Sequence, residues 1–381
     1  MKILNLIIIC CLFTTATFAQ QKDPKADSLL LEYYQTQKFA EAADYLKKIY
    51  PEPVANTKII TQLAYTSSMA GRLPDAEGYY QRLFNTDSTN IATLFSMAGI
   101  HARRGNNEKA IGFYKRIIKI DTLNFNAYKQ LAGLSISDPA AATIYLTNAN
   151  HINPQDAGIA FDLVVELIPM HQELIAEKVI DIALKADTAN LTLLRGKAQI
   201  SYALKKYPEA IEICKKLIIN GDQSSQVINY KGISEFMLKK FADCITTFHL
   251  LDNGNMQNES SYYYLGMSHK ALKQDAKAIY YLQQAITEGI SPNTDTYYSE
   301  IADSYDRLHL PKKALTSYQR GLTFGEKPMV YYAMASIYDS NLKDTMNAVK
   351  YYKKYLSTKP PVEKQQSYID FTTKRIVDLK R

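Results

Sequence analysis

Apolar positions recur at helical spacing along nearly the whole chain, and the spacing itself repeats. Ten times a small residue is followed four places later by a large apolar one. The pairs are Ala42/Leu46, Ala76/Tyr80, Ala110/Tyr114, Ala142/Leu146, Ala176/Ile180, Ala210/Cys214, Cys244/Phe248, Ala278/Leu282, Ala314/Tyr318 and Ala348/Tyr352. Successive steps are 34, 34, 32, 34, 34, 34, 34, 36 and 34 residues. Residues i and i+4 share one face of a helix, so each pair marks the buried stripe of one helix. Upstream runs a second stripe in which a large apolar residue stands beside a small one, as in Leu63-Ala64, Met97-Ala98, Leu131-Ala132, Leu265-Gly266, Ile301-Ala302 and Met334-Ala335. The pattern therefore predicts two helices per repeat. The second opens after a short turn, with Pro74, Pro208 and Pro311 in first-turn positions where a missing amide hydrogen costs nothing.

Identity is kept loosely and size strictly. Gly266 falls on Gly232 and Leu282 on Phe248 when the chain is slid by one period. Paired helices that approach through a small-residue notch need this: the notch limits volume, and little else is constrained. Residues not used to find the period support it. Asn56, Asn90, Asn124, Asp156, Asn190, Ser224, Asn258 and Thr294 stand just before the first helices, and all are residue types that cap a helix N-terminus. The last repeat has Lys327-Pro328 there instead.

The order of large, small and aromatic residues, then Ala and a further aromatic, resembles the tetratricopeptide repeat, with its 34-residue period and W-x2-L-G-x2-Y…A-x3-F…P pattern. Leu265, Gly266, Ala278, Leu282 and Ala285 carry the likeness, as do Met334, Ala335, Tyr338, Ala348, Tyr352 and Pro360. It covers residues 22–361; Tyr or aliphatic residues replace the usual Trp, Cys244 replaces Ala, and the turn near 137–139 is short. The resemblance implies an all-α fold, a right-handed α-α superhelix of about ten helix-turn-helix units. Residues 362–381, with Tyr368, Ile369, Ile376, Val377 and Leu379 on one side and basic residues outside, are expected to form a capping helix.

In such a solenoid the first helices line a concave groove that holds a protein or peptide partner. Positions off the packing seam give the expected partner-binding residues: Tyr65, Phe95, Phe161, Arg195, Gln199, Tyr202, Phe236, Tyr263, Met267, Lys270, Asp303 and Asp306. Phe161 is accompanied by Val165, and Arg195/Gln199 is followed by Asn229/Tyr230 in the next repeat. These side chains either face an open wall, apolar in the middle and acidic at one end, or are covered by neighbouring repeats. The Lys/Asn pairs with which some family members grip a C-terminal carboxylate are poorly matched.

Composition narrows the classes. The 381 residues are 46% hydrophobic and include 29 Tyr but no Trp, and 15 Gly with 13 Pro are too few for many strands and turns. The formal charge of +7 is spread over lysines such as Lys205-Lys206 and Lys239-Lys240, expected at helix ends where they oppose the dipole. A solvated face accounts for them, and no nucleic-acid partner is expected. The opening stretch "MKILNLIIICCLFTTATFAQQ" has one basic residue, an apolar run and small residues at Thr17 and Ala19. It reads as a signal peptide (1–19) cleaved after Ala19. Ile7, Ile8 and Ile9 before Cys10 do not suit lipid attachment, and no later segment is apolar enough to span a bilayer. Cys214 and Cys244 then remain, both at inward positions where Cys packs as a small hydrophobe.

Catalytic patterns are missing. H-E-x-x-H, G-x-S-x-G, G-x-x-x-x-G-K-[ST] and G-x-G-x-x-G do not occur, and the six histidines lack ligand spacing. Neither cofactor nor metal is expected. The reading is an exported, periplasmic or secreted, non-enzymatic interaction scaffold whose partner is a protein or peptide of the cell envelope. It would work within a secretion, assembly or motility complex. The alternative is an accessory protein that stacks a small ligand or glycan on its tyrosines.

Overall fold

The computed structural model describes residues 24–380, and the expected signal peptide lies outside them. Two compact units follow one another, the first ending at Ile152 and the second starting at Asn153. Every regular element among the described residues is helical. The first unit holds α1 (Pro24–Gln35), α2 (Phe39–Ile49), α3 (Thr57–Met69), α4 (Leu73–Thr86), α5 (Ile91–Arg103), α6 (Asn107–Ile120), α7 (Phe125–Leu134) and α8 (Pro139–Ile152). The second begins with α9 (Ala157–Leu167), α10 (Glu173–Ala186), α11 (Leu191–Ala203), α12 (Tyr207–Ile219), α13 (Ser225–Met237) and α14 (Phe241–Phe248), the last running into a 3-10 turn, His249–Gly254. It continues with α15 (Glu259–Ala271), α16 (Asp275–Glu288), α17 (Thr294–Arg307), α18 (Pro311–Gly321) and α19 (Pro328–Ser336), whose end is a π turn, Ile337–Asn341. α20 (Thr345–Ser357) and α21 (Val362–Asp378) complete it. Odd-numbered helices up to α19 are the first of each pair and even-numbered ones up to α20 the second.

The twenty side chains of the ten notch pairs are all buried, none more than 7% exposed. Volume matching is direct at two of them. A Cβ on Gly232 would stand 2.6 Å from the Phe248 ring, and one on Gly266 would stand 2.8 Å from Leu282 Cγ. Each pair is closed by the next first helix: Leu94 and Ala98 of α5, Tyr114 and Ile117 of α6 and Leu131 of α7 form one cluster. Burying each such aliphatic side chain contributes roughly 1.5–3 kcal/mol.

Six of the eight expected caps work as such. Asn90 Oδ1, for example, accepts from the Thr93 amide at 3.0 Å, and Asn258 forms a capping box with Ser261. Two do not. Ser224 holds the cap position but its side chain makes no cap bond; its own amide donates to Asp222 Oδ1 at 3.2 Å. Thr294 is already the first residue of α17, and its hydroxyl accepts from the Ser291 amide at 3.0 Å.

The turn between paired helices passes through a left-handed residue at Gln37, Gly71, Gly105, His171, Lys205, Lys239, Lys273, His309 and Lys343. The repeat after Gly105 is the exception: α7 has only ten residues and the short turn leads straight to Pro139. The lysine pairs are thus split in role. Lys205 and Lys239 make the turn, while Lys206 and Lys240 stand at the N-terminal ends of α12 and α14, not at helix C-termini.

α21 lies against α19 and α20. Tyr368 meets Tyr332 edge-on at 4.9 Å, Thr372 and Ile376 are buried, and Arg375 grips the buried Asp339 with two hydrogen bonds of 2.8 Å. Val377, expected inside, is 52% exposed. Adjacent helical positions point about 100° apart, and with Thr372 and Ile376 at the centre of the buried stripe Val377 falls at its edge. Arg375, expected outside, turns in.

Cys214 and Cys244 are free thiols in separate core clusters. Burial pushes their pKa values up to about 12 and about 11, so neither is a thiolate at neutral pH.

Candidate partner-binding site

Three consecutive first helices of the second unit, α9, α11 and α13, bring four expected wall residues into one cleft of about 540 Å³: Phe161, Val165, Arg195 and Gln199. Tyr230 of α13 completes the aromatic side, with Val227 and Gln226 one turn earlier. Local packing orients these groups. A Cβ on Gly196 would stand 3.3 Å from the Phe161 ring, so α9 and α11 meet closely beside the cleft. Arg195 is held by an ion pair to Asp222. Burial alone would raise the Asp222 pKa, but hydrogen bonds from Arg195 and Ser224 hold it below the usual range, keeping the pair charged. Tyr230 meets Tyr202 at 5.0 Å with the rings tilted by 32°, and its hydroxyl accepts from Gln226 Nε2 at 2.9 Å. The cleft thus offers an apolar wall, a fixed guanidinium and a free amide at Gln199, which suits an extended chain with alternating apolar and polar side chains.

Tyr263 belongs to a second, smaller pocket of about 300 Å³ between α15 and α17, with Tyr264, Tyr297, Glu259 and Asn293. Tyr297 donates to Glu259 Oε1 at 2.6 Å, and burial together with this carboxylate pushes its pKa up to about 12. Phe236 is half-buried, with Phe241 at 5.5 Å and Tyr264 at 5.1 Å, both edge-on. Met267 is half-buried.

The charged end differs from the sequence-based expectation. Lys270 pairs with Glu300 and with Asp303, at 3.1 Å to the latter, and Tyr318 donates to the other oxygen of Asp303. Asp306 accepts from Asn341 Nδ2 at 2.9 Å. These carboxylates are engaged within the fold. In the first unit, Tyr65 is 45% exposed, with Tyr34 at 6.3 Å and Phe39 at 6.1 Å. Phe95 is half-buried edge-on to Tyr114 at 5.5 Å.

Residues missed from sequence share one origin. Ser224, Gln226, Glu259, Asn293 and Thr296 lie in or just before the first turn of a first helix. That turn sits beside the preceding repeat's wall, a proximity no spacing within one helix displays. Among the described residues, no helix is long and apolar enough to cross a membrane, and no three His, Cys, Asp or Glu side chains are grouped to hold a metal ion.

The repeating helix pairs define an all-helical tetratricopeptide-type stack. Tetratricopeptide repeat family models match residues 175–225, 260–288 and 330–361. A tetratricopeptide repeat protein from Parabacteroides merdae is 17% identical, with 65% of this chain and 98% of that one covered and a TM-score of 0.43. The pilF protein of Pseudomonas aeruginosa is 17% identical over 54% of this chain and 95% of its own, at 0.42. YrrB, described as a TPR protein with an unusual peptide-binding site, is 16% identical over 50% and 99%, at 0.43. No curated protein matches the chain. Tetratricopeptide repeats generally mediate protein–protein interactions and typically act as non-enzymatic scaffolds.

Proposed function

We propose that the chain is a non-enzymatic interaction scaffold that binds an extended peptide segment of a protein partner along the first helices of its second unit. The cleft of Phe161, Val165, Arg195, Gln199 and Tyr230 carries this reading, because three successive repeats contribute to it and an extended peptide contacts successive repeats in the same way. An apolar side chain enters between Phe161 and Val165, and Gln199 bonds the peptide backbone. Tyr65 and Phe95 are offered as contacts on the first unit's own first helices. The opening stretch, read as a leader ending at Ala19, supports export and hence a partner in the cell envelope, within a secretion, assembly or motility complex.

The test is capture of envelope proteins on the purified chain and on Val165→Asp/Gln199→Ala, followed by titration of the recovered partner's peptides. Val165 and Gln199 are partly exposed, so the double variant keeps its helicity. Loss of at least tenfold in affinity is expected, and undiminished binding overturns the assignment. N-terminal sequencing of the exported form is expected to start at Gln20.

One observation favours a second reading. The pocket of Tyr263, Tyr264, Tyr297 and Glu259 has aromatic walls and no basic residue, as stacking on a neutral sugar ring requires. Saturable binding of neutral oligosaccharides, abolished by Tyr263→Ala but not by Val165→Asp, would select it.

A further inference from the structure

The opposite side of α17 holds a pocket of a different character. Along this helix Ser299, Asp303 and Asp306 form one stripe, on the first-helix wall. Tyr298, Ile301 and Tyr305 form another, flooring a pocket of about 470 Å³ between the second helices α16 and α18. Ile286 of α16 adds to the apolar floor. The rim is cationic: Lys312, Lys313 and Arg320, all from α18, line it, and no carboxylate does.

Elsewhere in the second unit, cations near the core are neutralised at once. Lys197 has Glu177 and Asp181 at 2.9 Å, Lys231 has Glu235 at 2.6 Å, and Arg307 Nε donates to Asp275 at 2.9 Å. Lys312, Lys313 and Arg320 are in no ion pair among the described residues; Lys313 only rests over the Tyr305 ring at 5.7 Å. Three hydroxyls around the pocket are occupied. Thr316, Ser317 and Thr287 each donate to a backbone carbonyl of their own helix, at 3.0, 3.0 and 2.9 Å. The charged donors left for a ligand are the three cations; the Gln283 amide and the Tyr298 and Tyr305 hydroxyls also line the pocket. Tyr298 is held by stacking on Phe324 at 5.7 Å, which keeps the floor flat.

We infer that this pocket binds a small organic anion, an oxyanion carried on a flat ring, at a site separate from the peptide cleft. The ring lies on Tyr298, Ile301 and Tyr305, and the oxyanion meets the α18 cations. Lys313 and Arg320 are seven residues apart, about 10 Å along the helix, so an anion fits at either end of a single ring. A pocket of this size, part apolar and with a few convergent charged groups, is the usual form of a small-molecule site. The ring is aromatic or a sugar, and two probes distinguish these sources.

The test titrates the full chain, by calorimetry at low salt, with phenyl phosphate, with glucose 6-phosphate and with inorganic phosphate. Saturable one-to-one binding of at least one ring phosphate is expected, with a Kd on the order of a millimolar or below and about tenfold tighter than inorganic phosphate. Lys312→Gln/Arg320→Gln, both on exposed side chains, is expected to weaken it about tenfold or more, while Val165→Asp leaves it unchanged. If the double variant loses helicity, the salt dependence of wild-type binding decides: steep weakening supports the cationic rim, and none overturns it. The inference also falls if neither ring phosphate saturates, if inorganic phosphate binds equally well, or if a folded double variant binds like wild type.

Discussion

The two units solve one packing problem with residues that differ in part. In the first, the notch on the first helices is built of alanines, Ala64, Ala98 and Ala132, against Tyr80, Tyr114 and Leu146, and its described glycines meet nothing: a Cβ at Gly78, Gly99, Gly112 or Gly133 finds no atom within 4 Å. In the second, Ala198, Ala302 and Ala335 hold the same place, but at two crossings glycine does: Gly232 and Gly266, pressed by Phe248 and Leu282. What recurs from repeat to repeat is a small residue facing a larger one where two helices cross. A helical glycine therefore means opposite things at different crossings, a packing necessity at Gly232 and Gly266 and a local weakness at Gly99.

The largest expected effect tests this. Gly232→Ala places a methyl 2.6 Å from the ring of Phe248, which is fully buried. Overpacking of this kind costs about 1–3 kcal/mol, and the upper end is expected here, read as a shift in the urea midpoint at unchanged slope. Gly232→Ala with Phe248→Leu restores most of the loss if volume is what matters. A rescue no better than Phe248→Leu alone would show that the glycine serves the backbone instead.

A second contrast lies in charge. The first unit links its repeats by exposed ion pairs, Lys47 with Asp75 at 2.8 Å and Arg72 with Asp44. The second buries Lys197, 9% exposed at its side chain, among Glu177, Asp181 and Glu209. Burial by itself would lower the Lys197 pKa, but hydrogen bonds to Asp181 and Glu177 keep it raised. Lys197→Ala is expected to cost about 2 kcal/mol, less than a fully buried pair because Asp181 and Glu209 keep contact with water. Arg72→Ala is expected to move the melting temperature by no more than about 2 °C.

The helices, their order and the notch were legible because one rule, size at fixed spacing, was written ten times over. The short turn before Pro139 was legible for the same reason, as a step of 32 residues. The left-handed turn residues were not. Only Gly71 and Gly105 announce them, whereas His171, Lys205 and Lys239 adopt the same geometry without the residue that favours it. At the candidate site, Phe161, Arg195 and Gln199 followed from helical phase. Their convergence with Ser224 and Gln226, and the neutralisation of Asp303 by Lys270, depended on contacts between repeats that no single helix encodes.

One position carries the same residue in both units. His101 and His269 occupy equivalent sites on α5 and α15, both 4% exposed, and stack on Phe113 at 5.6 Å and Tyr281 at 5.2 Å. Burial lowers both pKa values, and nearby Lys109 and Lys277 add to this. Glu77 opposes the shift at His101, and a hydrogen bond with Gln274 opposes it at His269. His269 Nε2 has no hydrogen-bond partner among the described residues. A histidine whose folded pKa is depressed binds its proton more readily unfolded. Stability is therefore complete above the ordinary value of about 6.5 and declines as pH falls from there toward the folded pKa. Melting temperature measured from pH 7 down to pH 5 is expected to fall, and His269→Gln to flatten the fall. An unchanged slope in that variant would place the acid sensitivity elsewhere.

The smallest expected effect has the opposite sign and returns to the glycines. Gly99 lies inside α5, where glycine is about 0.8–1.0 kcal/mol poorer than alanine as a helix former. No atom stands within 4 Å of its Cβ position, so Gly99→Ala meets no obstacle. A gain of about 0.5–1 kcal/mol is expected, through the unfolded chain as much as the folded one. Set beside the loss at Gly232, this change in sign for one substitution separates a helical glycine that answers a neighbouring side chain from one that answers none. If both substitutions destabilise alike, the volume rule does not distinguish the two positions, and the glycines share some other cause.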